Sequence, residues 1–299
     1  MSNISQSQSK SISSCINYIS IGYKYIHGRN SKKYIDLFTQ IARQVLETIA
    51  KCDAPYHNLD HTLQVVLTGQ EILYGKSLCE EPISPTEWID FIVSLLCHDI
   101  GYVKGICSKD SPSEHKFATG IGNDTVIIDS RATGASLTPY HVDRGKLFVE
   151  ETLSNYDLID VKNIQLNIEF TRFPVSNKET YKDTIKLPGL ARAADLIGQL
   201  SDSTYLSKLP ALFSEFEEVG NNKNLGYSSA SDLRAGYPRF YWHCVSTYLH
   251  HSIRYLEVST TGKAILLNMY NNRDTVEKEL ERLYSDNENI FNRLLNNIK

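Results

Sequence analysis

The spacing of apolar residues constrains the fold of this chain more than any other feature. Between residues 34 and 49, apolar side chains recur every three or four positions, at Ile35, Phe38, Ile41, Ala42, Val45, Leu46 and Ile49. Positions three and four apart lie on one face of an α-helix, so this spacing predicts an amphipathic helix that ends near Cys52. The same spacing returns in later segments, and it predicts an all-α fold.

Helix-breaking and helix-capping residues indicate where the next helices begin and end. Asp53-Ala54-Pro55 breaks the first pattern, and a second helix is predicted from Leu59 to about Leu73. A third helix is predicted to begin at Ser84-Pro85-Thr86-Glu87, because Ser84 can cap it and Glu87 can complete a capping box. Further helical patterns cover residues 139–154, 158–172, 187–202, 207–219, 232–256 and 274–297. Residues 105–138 are rich in Ser, Asp, Gly and Thr, and we expect a mobile loop there that borders the active site.

The first 33 residues differ in composition from the rest. Residues 1–14 consist largely of Ser, Gln and Asn, which predicts a disordered tail. Alternation of Ile19, Ile21, Tyr23 and Tyr25 indicates a short extended segment packed on the main domain. We found no repeat and no linker, so residues 34–299 are predicted to form one helical domain, with a core at 34–202 and C-terminal helices at 203–299.

Composition argues against several classes of function. A net charge of -4 and a pI near 6.1 disfavour nucleic-acid binding. The chain contains neither an apolar run of ~18 residues nor the apolar core of a signal peptide. Six cysteines occur without the paired spacing of a disulfide scaffold or zinc site, which predicts reduced thiols. We therefore expect a cytoplasmic protein that binds neither nucleic acid nor membrane.

Three separate segments carry candidate metal ligands. In Tyr56-His57-Asn58-Leu59-Asp60-His61, the histidines are four apart and share a helix face, a spacing that also occurs by accident. His98-Asp99 follows an apolar helix, where a buried polar pair needs a partner such as a cation; a helix-terminal hydrogen-bond pair is the alternative. Asp195 has small and apolar neighbours, which favours a buried carboxylate that needs a cation over a solvent-facing one.

Together, these segments resemble the HD superfamily of metal-dependent phosphohydrolases, whose motif order is His, His-Asp and a distant Asp. YHNLDH is similar to the Tyr-His-Asn-x-x-His motif of the cyclic-nucleotide phosphodiesterase catalytic domain, and HDIGYVKG resembles a looser form of its His-Asp-x-x-His-x-Gly motif. A weaker similarity runs through ASLTPYH at residues 135–141. The resemblance covers roughly residues 34–202 and implies a phosphodiesterase-like helical bundle.

The resemblance also implies roles for individual residues. Four side chains would ligate a first metal ion, namely His61, His98, Asp99 and Asp195, and Asp99 would bridge to a second metal. Zn, Fe or Mn suits the first site, and Mg or Mn suits the second. His57 would act as general acid toward the leaving alkoxide after a metal-activated water attacks, and Asn58 would orient the motif or contact substrate.

This chain departs from the phosphodiesterase pattern at two positions. Tyr102 stands where that family has the second His of its motif, and Thr138 stands where it has Glu. His141 also resembles a second-metal ligand of bacterial HD proteins such as cyclic-di-GMP hydrolases, but the position of their next His is held by Thr171 or a neighbour. The second metal site is thus predicted to be incomplete. Arg144, one helical turn after His141, is a candidate phosphate ligand.

The predicted function is hydrolysis of a small-molecule phosphate ester or phosphodiester. The C-terminal third contains no recognisable Gln-containing purine clamp, so a cyclic nucleotide is one candidate substrate among several. Two alternatives are an HD-fold di-iron oxygenase and a non-catalytic regulatory protein that keeps one metal. The aromatic segment 232–256, which also holds His243, His250 and His251, indicates either a packed core or a homodimer surface.

Overall fold

The computed structural model describes residues 4–28 and 32–296, with side chains described up to residue 285. The fold is all-α, as the apolar spacing predicts. In chain order, the helices are α1 (Gln6–His27), α2 (Lys32–Ile49), α3 (Leu59–Cys79), α4 (Pro85–Cys97), α5 (His141–Leu153), α6 (Val161–Phe170), α7 (Leu187–Leu200), α8 (Tyr205–Glu218), α9 (Asn221–Leu225), α10 (Ala230–Ala235), α11 (Tyr237–Phe240), α12 (His250–Leu256) and α13 (Thr260–Asn296).

Helix α3 lies at the centre of the packing. It contacts α1, α4, α7, α12 and α13, and its buried residues are spread around most of its circumference. Two glycines allow close approach: a Cβ atom at Gly198 of α7 would lie 2.8 Å from Val65 Cα, and one at Gly69 of α3 would lie 2.0 Å from Leu95 Cδ1. The backbones of α3 and α7 therefore cross at short range, and α4 packs tightly beside them.

Helix α4 begins as its sequence predicts. The Ser84 side chain accepts a hydrogen bond from the Glu87 amide, the Glu87 carboxylate accepts one from the Ser84 amide, and Pro85 occupies the first turn. Every residue from Trp88 to Cys97 is buried. This helix thus delivers the polar residues that follow it, His98 and Asp99, into the interior of the protein.

The predicted disorder and extended structure of the N-terminal segment are wrong for residues 6–27, which form α1. Ser5 and Gln8 form a capping box at its start, and buried Ile12, Ile16, Ile19 and Tyr23 line one face. These residues recur at helical spacing, so the polar composition belongs to the solvent face of an amphipathic helix. Residues 1–3 of the predicted tail lie outside the described residues.

The predicted loop 105–138 contains a short hairpin. Strand β1 (Lys116–Ala118) pairs with β2 (Thr125–Ile127) in antiparallel register, with Phe117 opposite Val126. A buried ion pair holds the loop down: Asp110, whose side chain is fully buried, pairs with Arg144 of α5 at 3.0 Å. The loop is thus anchored to the helix that follows it.

The C-terminal third differs from the predicted pair of long helices. Segment 232–256 is divided into α10, α11, a π-helical turn at Tyr241–Val245, a 3-10 turn and α12, and α13 begins at Thr260 instead of residue 274. Pro238 in the first turn of α11 and Gly236 before it separate α10 from α11. Within the described ranges, none of the helices has both the length and the apolar character of a membrane span.

Paired substitutions in α1 test whether it belongs to the folded core. Ile19→Ala should reduce the free energy of unfolding by about 2–5 kcal/mol, because Ile19 is fully buried and its removal leaves a cavity. Ile21→Ala is the matched control on the same helix, and it should cost under about 0.5 kcal/mol because Ile21 is half exposed. Urea denaturation measures both, and equal small losses would mean that α1 does not pack on the domain.

Candidate metal centre

Side chains from three helices converge where α3, α4 and α7 meet. His61 lies in the first turn of α3, whose N-terminus is capped by the Asn58 side chain, which accepts a hydrogen bond from the Asp60 amide at 3.0 Å. His98 is the residue that caps the end of α4, Asp99 follows it, and Asp195 lies within α7. Asn58 therefore caps the start of the helix that carries His61.

Five of the six separations between one donor atom from each of these residues lie between 3.2 and 3.5 Å. Asp99 Oδ2 is 3.2 Å from His98 Nε2 and 3.3 Å from His61 Nε2, and the two Nε2 atoms are 3.3 Å apart. Asp195 Oδ1 is 3.3 Å from His61 Nε2 and 3.5 Å from His98 Nε2. Ligands bound at ~2.0–2.1 Å to one tetrahedral zinc ion lie about 3.3–3.4 Å apart. The cluster of His61, His98 and Asp195 can thus hold a metal ion, with Asp99 beside it.

Hydrogen bonding supports the same fit. Asp99 Oδ2 is buried and makes no hydrogen bond to the described residues, although it lies between two imidazole nitrogens. His98 Nδ1 lies 2.7 Å from the Leu95 carbonyl oxygen, to which it donates, so the lone pair of His98 Nε2 faces the cluster. A buried carboxylate oxygen without a donor is costly, and a cation at this point would satisfy it.

The electrostatics of the cluster favour a divalent cation. Burial opposes the charged form of both aspartates, but the neighbouring histidines outweigh it: the pKa of Asp195 falls to about 2 and that of Asp99 lies well below its usual range. Burial also opposes the imidazolium of His98, yet Asp99 and Asp195 raise the pKa of His98 well above its usual value. Protons and metal ions therefore compete for the histidines, and metal affinity should fall as the pH falls.

His57 lies just outside this ligand set and has a carboxylate partner that the sequence analysis missed. His57 Nδ1 is 2.5 Å from Oε2 of Glu215, a residue of α8 that is only 2% exposed. Glu215 Oε1 also accepts hydrogen bonds from the amides of Tyr56, at 2.6 Å, and His57, at 3.0 Å. Burial lowers the pKa of His57, but the Glu215 carboxylate, with smaller contributions from Asp99 and Asp195, outweighs it and the pKa rises to about 9.

One signal in the sequence marks Glu215. The buried stripe of α8 runs through Tyr205, Leu209, Leu212 and Glu215, so a carboxylate occupies a position where helical spacing predicts an apolar residue. A buried carboxylate requires a partner, but the partner lies 158 residues away in the chain. The sequence alone therefore indicates that Glu215 is unusual without indicating His57.

The ring of Tyr102 lies between the rings of His57 and His141, beside the donor cluster. Its ring stacks on His57 with centroids 4.7 Å apart and on His141 with centroids 4.6 Å apart, at interplanar angles of 12° and 18°. His141 Nδ1 lies 2.6 Å from the Thr138 carbonyl oxygen, and His141 Nε2 lies 3.9 Å from Asp99 Oδ1. His141 is thus beside the outer oxygen of Asp99, away from the four donor atoms.

Arg144 has a structural role in place of the expected phosphate contact. Its guanidinium is fully buried, and all five N–H groups are used: three donate to the carbonyl oxygens of Gly101, Val103 and Ala118, and two donate to the Asp110 carboxylate. The same carboxylate also accepts backbone amide hydrogen bonds within the loop. The side chain fixes the backbone that follows Asp99 and leaves no donor for a substrate.

The fold and the cluster together define an all-α protein with a candidate metal centre. The chain belongs to the Npun_R2479-like family, because the model of that family matches residues 6–279. The match begins at the first residue of α1 and extends into α13, so it includes both the donor cluster and the N-terminal helix. No curated protein matches the chain.

Metal analysis tests the centre directly. Purified protein should contain a divalent transition metal, and His98→Ala or Asp195→Ala should lower its content, because each removes one donor atom. Chelation should lower the melting temperature of the parent chain and change that of the variants far less, since only a folded site binds the ion. His243→Ala, at an exposed histidine of the π-helical turn, is the matched control. Equal metal content in all three variants would rule out the centre.

Proposed function

We propose that this protein is a metal-dependent hydrolase of the HD superfamily that cleaves a phosphate ester or phosphodiester of a small molecule. The observation that supports this most is the position of the His57–Glu215 pair beside the metal-type donor atoms, with the His57 ring centroid 5.5 Å from that of His61. Phosphoester hydrolysis needs both a Lewis acid and a proton donor for the leaving oxygen, and the two lie together here. The motif order around His61, His98 and Asp195 supports the same class.

A divalent cation held by the four donor residues would supply Lewis acidity, which activates water and neutralises charge on a phosphoryl group. The side chains of Asp195 and His57 are 19% and 18% exposed, whereas those of His61 and His98 are almost fully buried. Substrate would therefore approach on the side of Asp195 and His57. Zn, Fe or Mn suits the mixed nitrogen and oxygen donors.

His57 would act as the general acid. Glu215 occupies its Nδ1 atom, so the transferable proton is the one on Nε2. With a pKa raised to about 9, the imidazole is protonated at neutral pH and can donate to a departing alkoxide oxygen. Glu215 is a positioning residue, since it fixes the ring through one nitrogen and the adjacent backbone through two amides.

The arrangement around His141 favours the hydrolase over the oxygenase alternative. A di-iron centre needs a full set of second-site ligands, whereas Tyr102 fills the space between His141 and His57 with a stacked phenol ring. The outer oxygen of Asp99 and Nε2 of His141 would hold at most a weakly bound second ion, for which Mg or Mn is suited.

A comparison of leaving groups tests the role of His57. His57→Ala should lower turnover of an alkyl phosphodiester by ~10²–10⁴-fold, because a poor alkoxide leaving group needs the proton. The loss should be far smaller on bis(p-nitrophenyl) phosphate, whose phenolate leaves without one. Metal content should stay unchanged, since His57 lies outside the donor cluster. Equal losses on the two substrates would exclude general acid catalysis by His57.

The pH profile tests the role of Glu215. Because kcat/KM requires protonated His57, activity should fall on the alkaline side, at a pH above ~6.5 and no higher than about 9. Glu215→Gln removes the largest of the charges that raise this pKa and leaves burial, which lowers it, so the alkaline limb should move to lower pH. If the variant has a lower rate but the same alkaline limb in its pH profile, Glu215 supports the fold and does not set the pKa of His57.

A further inference from the structure

A second concave site lies between α1 and α3, ten residues along α3 from His61, or about 15 Å. It is a cleft of about 180 Å³ whose lining includes Tyr18, Tyr25, Tyr74 and Glu71. These residues lie at helical spacing on the two facing helices, so the lining comes from one face of each. None of them takes part in the metal centre.

The cleft contains a buried carboxylate without a basic partner. Glu71 is 7% exposed, and its oxygens accept hydrogen bonds from the Tyr18 hydroxyl and from Ser259 Oγ, the latter at 2.7 Å. Within residues 4–28 and 32–285, no Lys, Arg or His side chain forms an ion pair with it. Buried carboxylates are normally paired with a cation, which points to a positive group supplied from outside the chain.

Aromatic walls flank this carboxylate. The rings of Tyr25 and Tyr74 meet nearly at right angles, with centroids 6.2 Å apart and an interplanar angle of 84°. Tyr25 is 77% exposed, so a large ring stands in water at the mouth of the cleft. A Cβ atom at Gly22 would lie 2.3 Å from Gln70 Nε2, so glycine lets the Gln70 side chain lie against α1 here. Gln70 Nε2 is itself buried without a hydrogen bond to any described residue.

We propose that this cleft binds a small organic ammonium cation, of the size and charge of choline. Tyrosine ring faces attract a quaternary ammonium group, and the Glu71 carboxylate would balance its charge. An inorganic divalent cation is a poor fit, because it needs several oxygen ligands and the lining offers one carboxylate. The site is separate from the proposed phosphoester chemistry and does not depend on it.

Calorimetric titration of the full chain with choline and with 3,3-dimethylbutan-1-ol tests the charge requirement. The alcohol has the same shape without the positive charge, so choline should bind saturably at one site per chain and the alcohol at least about tenfold more weakly. Equal affinity for the two compounds would mean that the cleft recognises apolar shape and not positive charge, and this would overturn the proposal. Absence of saturable choline binding would overturn it as well.

Three substitutions locate the binding. Glu71→Gln should weaken choline binding about tenfold or more by removing the charge, and Tyr25→Leu should weaken it by removing a ring that is too exposed to affect folding. Tyr284→Leu, at a 73% exposed ring on α13, is the matched control and should leave the affinity unchanged. If Glu71→Gln does not fold, Tyr25→Leu decides alone, and unchanged affinity in that variant would refute the site. Choline binding should persist in His98→Ala. This variant therefore tests the cleft independently of the metal centre.

Discussion

The close crossing of α3 and α7 is the constraint on which the rest of the site depends. Glycine at position 198 lets the α7 backbone approach Val65 of α3, since any Cβ there would lie 2.8 Å from Val65 Cα. The approach brings His61 of α3 to within 3.3 Å of Asp195 of α7. A side chain at position 198 would clash with the Val65 backbone and push α7, with Asp195, away from His61 of α3. The donor cluster is therefore a product of backbone packing as much as of ligand chemistry.

Burial gives the cluster its character. Two carboxylates and two imidazoles stand where apolar helices meet, and Asp99 Oδ2 has no hydrogen bond among the described residues. A buried carboxylate of this kind destabilises the fold unless a positive charge lies between the donor atoms of the cluster. The stability of the fold and ion binding are consequently linked. The same residues that can ligate a metal ion lower the free energy of unfolding when no ion is bound. Asp110 is also a buried carboxylate, but its charge is balanced by the guanidinium of Arg144, a cation that the chain itself provides.

Features that depend on local spacing could be predicted from the sequence, and features that depend on distant contacts could not. The all-α fold, the capping box of α4 and the convergence of His61 with His98 follow from periodicity, capping and motif order. Helix α1 was missed because its Ser and Gln residues obscure the buried stripe. The partners of His57 and Arg144 come from elements brought together only by tertiary packing. Sequence spacing carries no information about such pairs.

The stack of His57, Tyr102 and His141 couples parts of the site that have different tasks. One imidazole is held against Glu215, the other lies beside the outer oxygen of Asp99, and a single phenol ring is in contact with both. Packed rings transmit displacement, because they leave no space into which one can move alone. An ion or ligand that shifts His141 would thereby shift the ring of His57. The position of the His57 ring therefore depends on what binds beside the outer oxygen of Asp99.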